Sequence, residues 1–250
     1  MEHALQKASL GKRIAAGILD GILICILATG FAFLLSVLLG YDGYNQTLKD
    51  GYSRYETQYG VSFDIPREEL SDADREKWDA AYKALSQDEE VIQAYNVVLN
   101  LTLVIASVAI LLSVLAWEFA VPLLLHNGQT VGKKVFSLGL VRVDGVQVTN
   151  LQLMVRALLG KFTVEIMIPV FVILMVFWGI SGLIGPIVLL ALLVAQAICL
   201  CVSKTNALLH DQMAGTAVVD ISSQRIFRST EDLIAYQKQV AAERAARQTY

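Results

Sequence analysis

Four apolar runs, at residues 14–39, 97–125, 163–178 and 183–202, constrain this chain more than any other feature. Each is close to the roughly 17–25 residues that a helix needs to cross the hydrocarbon core of a bilayer. Backbone N–H and C=O groups find no water there, so each run has to satisfy its own hydrogen bonds as a helix. Composition points the same way. Of the 250 residues 55% are hydrophobic and 17% charged, and the mean hydropathy is +0.54. Ordinary soluble domains are far more polar. The expected fold class is an all-α integral membrane protein with four transmembrane helices. The first run is much longer than the roughly 7–15 apolar residues of a signal peptide, and no small-x-small cleavage site follows it, so a retained span is expected.

Lys and Arg set the expected orientation. Lys7, Lys12 and Arg13 precede the first run, and Lys133, Lys134, Arg142, Arg156 and Lys161 follow the second. Beyond the fourth run there are six more basic residues, whereas six in residues 41–94 are diluted among thirteen acids. Both termini and residues 126–162 are therefore expected to be cytoplasmic, with a plasma-membrane location and residues 41–94 outside. The net charge of -3 conceals that asymmetry.

The segments between the runs carry local signals. Ser71-Asp72-Ala73-Asp74 and Ser86-Gln87-Asp88-Glu89 both read as capping boxes. They predict a helix over about 72–85 and a second running into the span at Val97. Tyr41, Tyr44, Tyr52, Tyr55 and Tyr59 suit a membrane interface. Asp144-Gly145 between residues 138–143 and 146–149 predicts a small cytoplasmic β-hairpin, which residues 215–221 could join as a further strand. Leu151, Met154, Val155, Leu158 and Leu159 recur at helical spacing, as in an amphipathic helix on the membrane surface leading into span three. Residues 1–222 thus form the membrane domain and 223–250 a polar helical tail, capped by Ser229 or Thr230.

Several motifs fail. Gly128-Gln129-Thr130-Val131-Gly132-Lys133-Lys134 has one residue too few between its glycines for a phosphate loop, and no Ser or Thr after the lysine. His3 and His126 lie at no ligand-like spacing from His210-Asp211, so no metal site is expected. No cofactor, nucleic-acid contact or enzymatic activity is expected. The cysteines, Cys25, Cys199 and Cys201, fall in apolar runs and suit core packing. Gly17 and Gly21 have the spacing that lets helices approach closely.

The informative residues are ionisable groups at membrane depth, where charge is expensive and by default functional. Asp20 lies inside the first run. Arg13 is seven residues earlier, within about 20° around the helix but about 10.5 Å along it, so the two are not expected to pair. Glu118 stands between Trp117 and Phe119, again with no sequence neighbour to pair with. Glu165 is four residues after Lys161, a spacing that normally brings side chains together on a helix.

At these residues the chain resembles the RDD family of multi-spanning membrane proteins. The resemblance rests on residues 12–20, on Gly128–Lys134 with the Asp144-Gly145 turn and Arg156, and on residues 209–219. By position the family's arginine and two aspartates are Arg13, Asp20 and Asp211. The resemblance implies a membrane protein for which transport, including sodium–proton exchange, is proposed. Lys204-Thr205-Asn206 stands where such proteins usually have an arginine-rich stretch.

Two readings follow. In one, Asp20 and Glu118 take up a proton or a monovalent cation in turn, in a cation/proton-coupled, homo-oligomeric transporter in the lipid bilayer. In the other, Arg13, Arg156 and Lys161 compensate Asp20, Glu118 and Asp211, with Glu165 held by Lys161, and the protein is a non-transporting scaffold or assembly partner.

Overall fold

The computed structural model describes residue 5 and residues 8–125, 128–177, 179, 182–203, 205–222 and 224–248. Lys7, Lys204, His3, His126 and Trp178 lie outside the described residues. The fold is that of an all-α membrane protein with a single small sheet. Four helices are long and apolar enough to cross a bilayer: α1 (Leu10–Leu38), α4 (Glu89–Leu125), α6 (Asn150–Phe177) and α7 (Ile184–Val202). Their outer faces stay apolar, with Ile18, Phe33, Leu193 and Val202 more than half exposed. Large exposed apolar surfaces of this kind are stable where lipid covers them.

The chain divides into two compact units, one of Met1–Leu27 with Ile110–Tyr250, the other of Ala28–Ala109. In the second unit, Gly40 adopts a left-handed conformation after α1 and starts α2 (Tyr41–Tyr59). The tyrosines expected at an interface are thus part of a helix. Tyr52 packs edge-on against Phe63, and the Tyr55 hydroxyl donates to Asp88 at 3.0 Å. Helix α3 (Asp72–Leu85) begins where its cap predicts, the Ser71 hydroxyl accepting from Asp74 N. The second predicted cap shifts by two residues. Ser86 terminates α3, and the Asp88 carboxylate accepts from Glu90 N and Val91 N to start α4. A carboxylate one step before the helix captures the free N–H groups better than a hydroxyl three steps away.

In the first unit, α5 (Val131–Val135) leads to β1 (Leu138–Arg142), which pairs antiparallel with β2 (Thr216–Asp220), Leu138 opposite Asp220 and Arg142 opposite Thr216. The expected hairpin shrinks to a turn at Gly145 and one bridge, Val141 to Gln147, on the edge of β1 opposite β2. Leu138, Leu140, Val141, Ala217 and Val219 are buried around this sheet. The amphipathic stretch and the third apolar run form one uninterrupted helix, α6, which is π-helical over Arg156–Met167. A second π stretch, Ala116–Ala120, interrupts α4. Helix α8 (Leu209–Met213) precedes β2, and α9 (Thr230–Gln248) is capped by Ser229, whose hydroxyl accepts from Asp232 N. Cys25 and Cys201 are exposed rather than core-packed, and a Cβ on Gly17 or Gly21 would meet nothing within 4 Å. Within the chain those glycines leave a helix face open instead of closing one.

Candidate functional site

Both π stretches carry buried charges. Single π turns add a residue to a helix and recur at functional sites. Glu118 lies in the first, and Arg156, Lys161 and Glu165 lie in the second. Helix α1 contributes Arg13 and Asp20, the 129–133 segment Thr130, Gly132 and Lys133, and α8 His210 and Asp211.

Asp20 is 2% exposed and fully engaged. Its carboxylate accepts from Trp117 Nε1 at 2.8 Å, from Gly132 N at 2.8 Å and from the Thr130 hydroxyl. All three partners are donors, the complement of an ionised carboxylate. The lysine ammonium of Lys133 stands 3.9 Å away. Gly132 is required for this geometry. A Cβ there would lie 2.8 Å from Asp20 Cγ and collide with the Ala16 carbonyl, so any side chain would push the donating N–H away. Thr130 caps α5, accepting from Lys133 N at 3.4 Å and from Lys133 Nζ at 3.1 Å.

Glu118, with no exposed surface, meets three cations: Lys161 Nζ at 2.5 Å, Arg156 Nη1 at 2.6 Å and Lys133 Nζ at 3.5 Å. Arg156 continues to Asp211 through Nε at 3.0 Å, and Arg13 reaches the other oxygen of Asp211 at 2.9 Å while donating to the Thr205 carbonyl. His210 joins the set at both ring nitrogens, Nε2 at 2.8 Å from Arg156 Nη2 and Nδ1 at 2.6 Å from Glu165. A guanidinium can only donate, so Nε2 accepts and Nδ1–H is directed at Glu165. Gln196 on α7 completes the chain, donating to Glu165 at 2.7 Å and accepting from Leu209 N at 3.2 Å.

Arg13, Lys133, Arg156 and Lys161 thus balance Asp20, Glu118, Glu165 and Asp211. Balance matters because removing one partner of a buried pair strands the other, at a cost of about 3–5 kcal/mol. Burial opposes ionisation of Asp211, but the guanidinium groups of Arg156 and Arg13 outweigh it and hold the carboxyl well below its usual range. Lys133 is the contrary case. Burial lowers its ammonium to about 8, although Glu118 and Asp20 favour the charged form.

The structure brings every sequence-predicted site residue into this one cluster, with two departures from the expected pairing. Asp20 and Glu118, read as acids without neighbours, are both fully partnered. Arg13 goes to Asp211 and not to Asp20, as helix geometry predicts. Lys161 does not hold Glu165, because the π-helical backbone alters the α-helical facing of residues four apart. Lys161 turns to Glu118 and Glu165 to His210. The residues missed from sequence are Trp117, Thr130, Gly132, Lys133, Gln196 and His210. The signal available for three of them is residues 128–134, a stretch that superficially resembles a phosphate loop and in the structure feeds donors to Asp20.

A cavity of about 250 Å³ opens beside the cluster, with Arg13, Gly17, Asp20, Lys133, Lys161 and Glu165 in its wall. A groove of about 410 Å³ runs along α6 and α7 past Pro169, Leu189, Leu192, Leu193 and Ala197. The two share Glu165, Leu200 and Leu208.

The family model described as RDD family matches residues 7–215, a span that contains every member of the cluster. No curated protein and no solved structure matches the chain.

Proposed function

The chain belongs to the RDD family, and from that premise we propose that it is a proton-coupled membrane transport protein in which Lys133 carries the exchanged proton and Asp20 and Glu118 hold its charged form. One observation carries this reading. Lys133 has the longest carboxylate contacts of the four cations, 3.5 Å to Glu118 and 3.9 Å to Asp20, and its ammonium is brought to about 8, near ambient pH. Release of the proton leaves a neutral amine and one uncompensated negative charge between the two carboxylates. A monovalent cation such as sodium restores the balance there, which is the exchange proposed. Asp20 itself is better suited to holding than to carrying, because its three neighbours are all donors.

The decisive measurement is the pH change that a sodium gradient drives in proteoliposomes. Wild-type protein is expected to give flux, Lys133→Gln to abolish it, and Asp20→Asn to impair it. Undiminished flux in folded Lys133→Gln overturns the assignment. The second reading, a non-transporting scaffold, draws support from the complete pairing of the four acids. It predicts no flux from wild type and a partner that co-purifies in mild detergent. In either case we propose a plasma-membrane location with cytoplasmic termini, supported by the distribution of Lys and Arg, and a binding rather than a catalytic role.

A further inference from the structure

The cluster is neutral as a whole, but its accessible side is not. The cavity wall includes Arg13, Lys133, Arg156 and Lys161, against Asp20 and Glu165. Glu118 and Asp211, the two acids with no exposed surface, lie behind it and line none of it. The wall therefore presents two more positive than negative groups, in surroundings of low dielectric where such an excess is felt strongly.

Donors are also left over. Of the five N–H groups of a guanidinium and the three of an ammonium, Arg13 uses two and Lys161 one on acceptors among the described residues. Lys161 keeps a fifth of its side chain exposed. Both features suit an anion with several oxygen acceptors, and planar guanidinium with ammonium is the usual pairing around phosphate.

The neighbouring groove has the opposite character. It is walled by leucines, Pro169 and Ala197, and it meets the cavity at Glu165, Leu200 and Leu208. A ligand occupying both has an anionic head and an aliphatic chain. We propose that this joined cavity and groove is a specific site for one anionic phospholipid, its phosphodiester against Arg13 and Lys161 and one acyl chain along α6 and α7. The inference stands independently of proton coupling at Lys133.

The test uses the full chain in neutral detergent, with its unfolding temperature followed as lipid is added. Phosphatidylglycerol is expected to raise that temperature saturably, and phosphatidylcholine of the same acyl chains to leave it unchanged. Inorganic phosphate is expected to have little effect, since it cannot fill the groove. Equal shifts from the two lipids overturn the charge assignment, and a phosphate shift as large as that of phosphatidylglycerol overturns the lipid. Lys161→Gln removes a head contact but also a partner of Glu118, so a groove variant supplies the check that does not disturb the cluster. Ala197→Trp fills the groove from an exposed position and is expected to lose most of the phosphatidylglycerol shift. Ala191→Trp, exposed on the same helix but outside the groove, is expected to keep it. Retention of the full shift by Ala197→Trp overturns the site.

Discussion

Lys133 is held by geometry that leaves it charged at a cost. Below about pH 8 the ammonium is protonated in both the folded and the unfolded chain, and folding bears the full penalty of burying it. Between about 8 and 10.5 the unfolded chain still binds the proton while the folded chain releases it, so stability rises with pH across that window. The rise has an upper limit of about 1.4 kcal/mol per pH unit for a single group. Denaturation in detergent over that range is expected to show this slope in wild type and to lose it in Lys133→Met; identical slopes would remove Lys133 as the titrating group. At this scale the sequence was informative in a selective way. Asp20, Glu118 and Arg156 are conspicuous because charge is rare beside long apolar runs. Lys133 and His210 lie in segments where charge and polarity are ordinary, and the motifs around them do not show which charges they meet. Their importance comes from what they meet after folding, as does the Gly132 N–H, a backbone group that every residue but proline possesses.

At the scale of elements, the close approach of α6 to α8 rests on Gly160. A Cβ there would lie 2.5 Å from His210 Cβ and 2.6 Å from His210 Cα, so backbone as well as side chain must move. Gly160→Ala is expected to cost about 1–3 kcal/mol, the usual range for overpacking. Gly30→Ala, where a new Cβ meets nothing within 4 Å, is expected instead to stabilise α1 by about 0.5–1 kcal/mol. Thermal unfolding of the two variants distinguishes them, and a Gly160→Ala protein as stable as wild type would contradict the packing. Helices such as α3 were legible because their signals are local: a capping serine, an acidic first turn and a repeating apolar face. The π stretches were not. An extra residue in a helical turn leaves no composition signature, and it changes which residue faces which. The α-helical spacing of Lys161 and Glu165 predicts a pair for that reason.

For the molecule as a whole, Gly17, Gly21 and the exposed Cys25 recur every four residues on α1 and so share one side of it. With open space above both glycines, the small-residue spacing is free for close contact between copies of the chain in a membrane. A homo-oligomer is proposed on that ground. Mild oxidation of a Cys199→Ser, Cys201→Ser protein in liposomes is expected to give a dimer linked through Cys25, and exclusively monomeric protein would count against this face. The four spans were legible at this scale from hydropathy alone. The pairing of β1 with β2 was only partly so, because a short tight turn is the more visible signal and a strand some seventy residues later the stronger partner.

The π stretch of α6 has one more consequence. Moving such a turn along its helix by one residue exchanges one backbone hydrogen bond for another and swings the side chain it passes by about 100° about the axis. Lys161 lies within that stretch, directed at Glu118. A single step of this kind would uncover or cover one of the two fully enclosed carboxylates among the described residues while the helix as a body stayed in place, a local gear change in a membrane segment that otherwise behaves as a rod.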